Sequence, residues 1–407
     1  RFASVNSRLD QIRGSLNTQI TASVDTINSY AQQISDLNTT IQQALNSTGN
    51  APNDLMDQRD LLVSKLSEQI QTTVVQQGDG GYNVFIGNGM PLVVGSETYQ
   101  LYARTSDTDP SRMEVAYGNP SNPKVLNSTT LTGGSLGGIL QFRAETLDTV
   151  QNQVGQLAIT LASQFNTQHM QGYDLNGNAG QALFNLGSPV TYSSANNTDQ
   201  SKKATATITD VSQLTSSDYT LRYSNGQYNV IRNSDKSVWS NVTLPVTVDG
   251  IQINVNSSTP AEGDEYLIKP TQNAAGGLSL AFENVSQLAL AGSASSGQSD
   301  NRNGLLLAGL QNTANVNLLG SSSSRTYAQA FAMMVSAVGT KTNEMSVLST
   351  SDATAKENAT SALQSESGVN LDEEAANLLR YQQAYQAAGK MMQIASQLFE
   401  VLLQIGQ

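Results

Sequence analysis

Cysteine is absent from all 407 residues, which excludes disulfides, thiolate metal ligands and cysteine nucleophiles together. Histidine occurs once, at His169, so a histidine triad or multi-histidine metal site would have to be built around that one side chain. Charge is sparse: 21 Lys and Arg stand against 33 Asp and Glu, for a charged fraction of 13% and a net charge of -12. With its cations unclustered, that balance opposes both nucleic-acid phosphate and anionic lipid as partners. Aromatic residues make up 6%, with Trp239 the one tryptophan. Its neighbours Ser237, Val238, Ser240 and Asn241 supply no stacking platform for a carbohydrate. No run reaches the roughly 20 apolar residues of a membrane span, because Gln397, Glu400 and Gln404 interrupt even the apolar C-terminal stretch. Arg1 is not an initiator residue and no signal peptide follows it, so the chain reads as a fragment.

What is present is periodicity, spread over a length that predicts about two to four domains. Ile20, Ile27, Ile34 and Ile41 recur every seven residues, with Val24, Ala31 and Leu45 between them, which predicts a long helix. Gly49 and Pro52 break it, and a second helix is expected from Asn53, with that side chain as cap, through Leu62, Leu66 and Ile70. From Thr72 the period falls to two: Tyr82, Val84 and Ile86 lead into Asn88-Gly89, and Leu92 and Val94 lead out, as in a tight hairpin.

Gly133–Gly138 then opens a helix with Leu140, Leu147, Val154 and Leu161 in register. A second β region carries hairpin signals at Asn225-Gly226 and Asp249-Gly250. Helical period returns with Tyr327, Phe331, Met334, Val338, Met345 and Leu348, and Gly368 is expected to end that helix. The expected organisation is a helical hairpin over 1–70, a β-rich insertion over 71–132, a returning helix over 133–187, a second β-rich domain over 188–275, a helical part over 276–366 and an assembly helix over 367–407. In fold class this is multidomain α+β, with long helices from both chain ends forming a rod or bundle and β-rich domains inserted between them.

Four local patterns bear on chemistry. Asp174-Leu175-Asn176-Gly177-Asn178-Ala179-Gly180 places oxygen side chains at the first, third and fifth positions of a calcium loop. Ala179 and Asn185 stand where that loop needs glycine and a bidentate glutamate, so a polar turn is the expected reading. Asp54, Asp57 and Asp60, and Asp372–Glu374, could be read as paired acids of a glycosidase. Both groups fall in first helical turns, where negative charge complements the dipole, and Arg59 is expected to pair with a neighbouring acid. His169 is expected at a helix end or on the surface. No catalytic constellation can be assembled, no cofactor is expected, and the chain is not expected to be an enzyme.

The C-terminal segment is the strongest candidate for function. A capped start at Asn370, with Glu373 three residues on, is followed by Leu371, Leu378, Tyr385, Met392 and Phe399 every seven residues. Tyr381 and Leu402 fall on the second position, and Met391, Ile394, Leu398, Val401 and Ile405 form a stripe beside it. A helix apolar on more than one face must be covered, so Leu371, Leu378, Tyr381, Tyr385, Met392, Ile394, Leu398, Phe399 and Leu402 are expected to bind neighbouring subunits or a chaperone.

Ser367-Gly368-Val369-Asn370-Leu371-Asp372-Glu373-Glu374, then Asn377-Leu378 and Arg380-Tyr381-Gln382-Gln383-Ala384-Tyr385, resembles the C-terminus of the flagellar rod, hook and hook-associated proteins. Asp57-Gln58-Arg59-Asp60-Leu61, Gly134-Ser135-Leu136-Gly137-Gly138-Ile139-Leu140, Phe165-Asn166-Thr167-Gln168-His169, Gly172-Tyr173-Asp174-Leu175-Asn176-Gly177 and Ser299-Asp300-Asn301-Arg302-Asn303-Gly304 narrow the resemblance to the hook-associated proteins. The resemblance implies an extracellular structural subunit of the bacterial flagellum, exported by the flagellar type III apparatus and placed between hook and filament. Its implied partners are the hook protein, hook-associated protein 3, copies of itself in a ring and a flagellar export chaperone at the C-terminal helix. It also implies a further N-terminal helix before Arg1. The alternatives are hook-associated protein 3 itself or another flagellar axial protein, and, outside the flagellum, a secreted adhesin or carbohydrate-binding protein.

Overall fold

The computed structural model describes residues 1–48, 51–256, 260–297, 299–314, 316, 324–367 and 371–405. They divide into two compact units, Arg1–Val335 and Ser336–Gln407. Long helices lie towards both ends of the chain and β-sheets between them, a multidomain α+β architecture.

Unit one begins with α1 (Phe2–Thr48) and α2 (Asn53–Gln69). The α1 stripe is the spine of the first core: Ile20, Val24, Ile27, Ala31 and Ile34 are buried together with Leu66 and Ile70. The expected cap at Asn53 is corrected. Pro52 is the N-cap, no side chain caps the helix, and Asn53 is already helical. A ring nitrogen carries no hydrogen, so proline at this edge leaves fewer amides to satisfy.

The first β region holds β1 (Thr72–Gln76), β2 (Tyr82–Ile86), β3 (Met90–Val94) and β4 (Glu97–Thr98) in one antiparallel sheet, in that order. A second sheet holds β5 (Leu101–Thr105), β6 (Met113–Tyr117) and β7 (Lys124–Val125). Ile86 faces Met90, so the turn has three residues and its left-handed positions are Gly87 and Gly89, with φ 52° and 88°, rather than Asn88. The register also shifts between Val84 and Phe85. In consequence Leu92 and Val93 are buried side by side while Val94 is exposed, where strict alternation paired Leu92 with Val94.

The chain returns through α3 (Gly134–Phe142), a π-turn at Arg143–Leu147 and α4 (Asp148–His169). Arg143 sits fully buried in the π-turn, donating to the Met113 carbonyl and to Glu114 at 3.0 Å.

The second β region starts with β8 (Phe184–Asn185), β9 (Val190–Ser193) and β10 (Ala204–Ile208). It continues with β11 (Tyr219–Ser224), β12 (Gln227–Arg232), β13 (Val238–Val242), β14 (Val246–Val248), β15 (Ile251–Val255), β16 (Glu265–Lys269) and β17 (Ser279–Leu280). A five-stranded sheet runs β13-β12-β11-β16-β9, a three-stranded one β10-β15-β14, and β17 pairs with β8. Asn225 and Gly226 have φ 54° and 75°, and Asp249 and Gly250 φ 48° and 74°. Two consecutive left-handed residues match the twist of the strands they join, as the two hairpin signals required. Their core gathers Tyr219, Leu221, Val230, Ile251, Ile253, Tyr266 and Ile268.

Two further helices follow, α5 (Arg302–Gly309) and α6 (Tyr327–Ser367). Ala330 and Met334 at the start of α6 are buried with Val154, Leu157 and Ala158 of α4. Unit two comprises the rest of α6 and α7 (Leu371–Ile405). Gly368 and Asn370, the expected helix end and cap, lie outside the described residues.

Candidate assembly surface

α7 has three acidic residues, Asp372, Glu373 and Glu374, in its first turn. There they meet the free amides and positive pole of the helix, so the helix start accounts for them. Beyond them the sequence is apolar at helical spacing, with only Arg380 and Lys390 charged between Leu378 and Ser396.

The described candidate side chains all stand in solvent: Leu378, Tyr381 and Ile394 are more than half exposed, Met392 is 74% exposed and Tyr385 83%. Leu379 and Met391 are exposed beside them. The side chains of Leu371, Leu398, Phe399 and Leu402 lie outside the described residues. An isolated exposed leucine is ordinary, whereas large apolar side chains repeated along several turns form a surface that water disfavours. Long, adaptable Met and Leu with Tyr suit a packing surface rather than a reacting one.

α7 is not alone in this: α6 also exposes large apolar side chains. In unit two, Met345, Val347, Leu348 and Leu363 are exposed, while Ala330 and Met334, at the α6 start in unit one, are buried. The period of α6 was legible. What it could not show was which of its stripes the rest of the chain covers.

The other candidates resolve into structural parts. His169 is the last residue of α4 but is fully buried, not at the surface. Its Nδ1 donates to the Gln181 carbonyl at 2.6 Å and its Nε2 accepts the Ala289 amide at 2.9 Å, so both nitrogens are spent on backbone. Arg59 is likewise buried, and its expected pairing with a neighbouring acid is replaced by donation to Asn38 Oδ1 at 3.2 Å and the Gly80 carbonyl at 2.6 Å. Asp174 turns its carboxylate inward on its own loop, Oδ1 accepting the amides of Asn176 and Asn178 at 2.8 Å each. That is an Asx turn with its oxygen already occupied. Trp239 lies under the Arg232 guanidinium, 5.1 Å from its ring centroid, rather than beside a second aromatic ring. Among the described residues no group of three His, Asp or Glu gathers around a metal position. Nor, among them, is any helix long and apolar enough to cross a membrane.

Three known families match along the chain. The "Flagellar hook-associated protein FlgK helical domain" matches residues 1–184, the "Flagellar hook-associated protein 1, D2-like domain" residues 192–270, and the "Flagellar basal body rod FlgEFG protein C-terminal" residues 359–405. The flagellar hook-associated protein 1 of Salmonella typhimurium is 38% identical over 420 residues, an alignment taking in 100% of this chain and 74% of the relative. The protein of the same name from Escherichia coli K12 is 38% identical over 414 residues, with the same coverage. Among solved structures, the flagellar hook junction protein FlgK from Burkholderia pseudomallei matches with a TM-score of 0.79 at 28% identity, over 91% of this chain and 87% of its own.

Proposed function

The chain belongs to the family of flagellar hook-associated protein 1, and we propose that it is a structural subunit of the junction between hook and filament, without catalytic activity. The observation that carries this reading is the exposed apolar run of α7. A surface of this kind is costly to leave in water and is satisfied by neighbours in an assembly.

In this reading the chain passes unfolded through the flagellar type III apparatus and works outside the cell. Copies of it form a ring, with the hook protein on one side and hook-associated protein 3 on the other. Leu371, Leu378, Tyr381, Tyr385, Met392, Ile394, Leu398, Phe399 and Leu402 pack against neighbouring subunits after export and against the flagellar export chaperone before it. The same apolar residues serve both partners in turn, because each offers cover for surface that water disfavours. Heterologous contacts repeated around an axis close into rings of this type.

The deciding experiment is amide hydrogen exchange along α7, in the chain alone and with the flagellar export chaperone of the same organism. Fast exchange alone and strong protection in the complex support the reading. Full protection in the chain alone, unchanged by the chaperone, would remove the argument from α7.

A further inference from the structure

Residues 106–112, the loop between β5 and β6, touch three other parts of unit one. Asn17 of α1 holds the loop at both sides of its exit, donating to the Ser111 carbonyl at 2.9 Å and accepting the Met113 amide at 3.0 Å. Arg112 reaches Asp148 of α4 at 3.0 Å. Towards the second β region, the Asp107 carbonyl accepts the Ala195 amide at 2.7 Å, and the Asp107 carboxylate accepts Asn196 Nδ2 at 3.1 Å. Lys269, on β16, donates to Asp109 Oδ2 at 2.8 Å, with only 3% and 2% of the two side chains exposed.

An ion pair this deeply buried ordinarily cements two parts, because separating them strands two desolvated charges. Here each charge has a second partner on its own side. Asp109 Oδ1 accepts the Ser111 amide at 3.0 Å and the Ser111 hydroxyl at 2.6 Å. Lys269 Nζ lies 4.0 Å from Asp218 Oδ2, a carboxylate of its own β region that is also held by Asn152 of α4 at 3.1 Å. The space beside the pair is a polar cleft of about 460 Å³ lined by Asp109, Arg112, Asp148, Asn152, Asp218 and Lys236, among others. Water can enter there as the two sides part.

We infer that the 106–112 loop is a releasable latch: Asp109 grips Lys269 to dock the second β region on the helices, and Lys269 transfers to Asp218 when the grip opens. Retaining a partner on each side lowers the cost of opening, which separates a two-position joint from a permanent seam. Ile159 and Gln156 of α4 still hold the second β region, so what loosens is the joint at Ala195 and Asn196, while the sheet itself stays intact.

Asp109→Ala tests this by hydrogen exchange on the whole chain, compared with the parent. The expected result is that the Ala195 amide, which spans the joint, exchanges ~10-fold faster or more while the amides of β11, β12 and β16 keep their protection. Asp109→Ala combined with Asp218→Asn leaves Lys269 without a carboxylate, and β16 then loses protection as well. Unchanged exchange at Ala195 in Asp109→Ala would overturn the latch, since the loop would be gripping nothing that matters. Loss of β16 protection already in Asp109→Ala would overturn the transfer, since Asp218 would not be serving as the second partner.

Discussion

The guanidinium carbon of Arg59 lies 3.4 Å from the centroid of the Tyr82 ring, and this stack ties α2 to the first strand pair. The same guanidinium reaches the Gly80 carbonyl and Asn38 of α1, and Asn38 in turn holds the Tyr82 amide, the Tyr82 carbonyl and the Gly95 carbonyl. One buried cation therefore joins two helices and two turns.

Arg59→Ala is expected to destabilise unit one by about 2–4 kcal/mol, summing a desolvated cation–π contact and charged hydrogen bonds. Arg59→Lys recovers little of it, since an ammonium cannot stack flat on the ring and bond Asn38 and Gly80 together. Denaturant midpoints of the two variants, compared with the parent, check both statements.

Two glycines should answer oppositely to alanine. A Cβ at Gly155 of α4 would lie 2.0 Å from the Thr271 carbonyl oxygen, so Gly155→Ala must push the exit of the second β region off the helix, at a cost of at least about 2 kcal/mol. At Gly138 of α3 a Cβ meets nothing within 4 Å, and Gly138→Ala should stabilise by about 0.5–1 kcal/mol through the unfolded chain's entropy. Thermal midpoints read both.

His169→Phe keeps a ring beside Phe282, whose centroid is 5.6 Å from that of the imidazole. It strands the Gln181 carbonyl and the Ala289 amide. Stability should fall by about 2–4 kcal/mol, with faster exchange at Ala289 as its local signature. An unchanged midpoint would mean that water replaces the imidazole.

Two neighbouring carboxylates should bend the pH dependence in opposite directions. Burial works to raise the Asp109 carboxyl, but Lys269 and the Ser111 hydrogen bonds outweigh it and hold the group below its usual range. Its stability is present above about pH 4, the unfolded value, and is lost as pH falls through the lower folded value. Burial pushes Asp218 up, against the pull of Lys269. That group favours the folded state at low pH, and its contribution fades as pH rises from about 4 through the raised folded value. Acidifying from neutrality should first stabilise and then destabilise unit one. Asp218→Asn removes the first limb, which stability curves across pH will show.

Tyr385→Ser on the exposed face of α7 should change thermal stability by no more than about 0.5 kcal/mol, as surface substitutions do. Under the proposed function it should still weaken chaperone binding and filament attachment. A pull-down with the chaperone and a swimming assay of the complemented mutant measure these. Normal results in both would count against the α7 surface.

The helices of this protein are written in its local sequence. A seven-residue repeat of isoleucine can bury itself only as one face of a helix, and Ile20, Ile27, Ile34 and Ile41 do so. Asn225-Gly226 and Asp249-Gly250 were equally legible, because few residue pairs tolerate two consecutive left-handed positions. The exposed stripe of α7 was readable as a surplus of apolar surface.

The tertiary structure alone decided what the buried polar residues do, although the polar turn at Asp174 was already legible. Arg59 reads as the partner of a neighbouring acid, and His169, correctly placed at a helix end, reads equally well as a surface residue, until distant segments arrive over them: Gly80 and Tyr82 in one case, Gln181 and Ala289 in the other. The register shift that buries Val93 in place of Val94, and the meeting of Asp109 with a lysine 160 positions away, have the same origin. Periodicity records the free energy of a residue's own helix or strand face, whereas a buried polar group is defined by the partner that replaces its water, and nothing nearby in the chain encodes that partner.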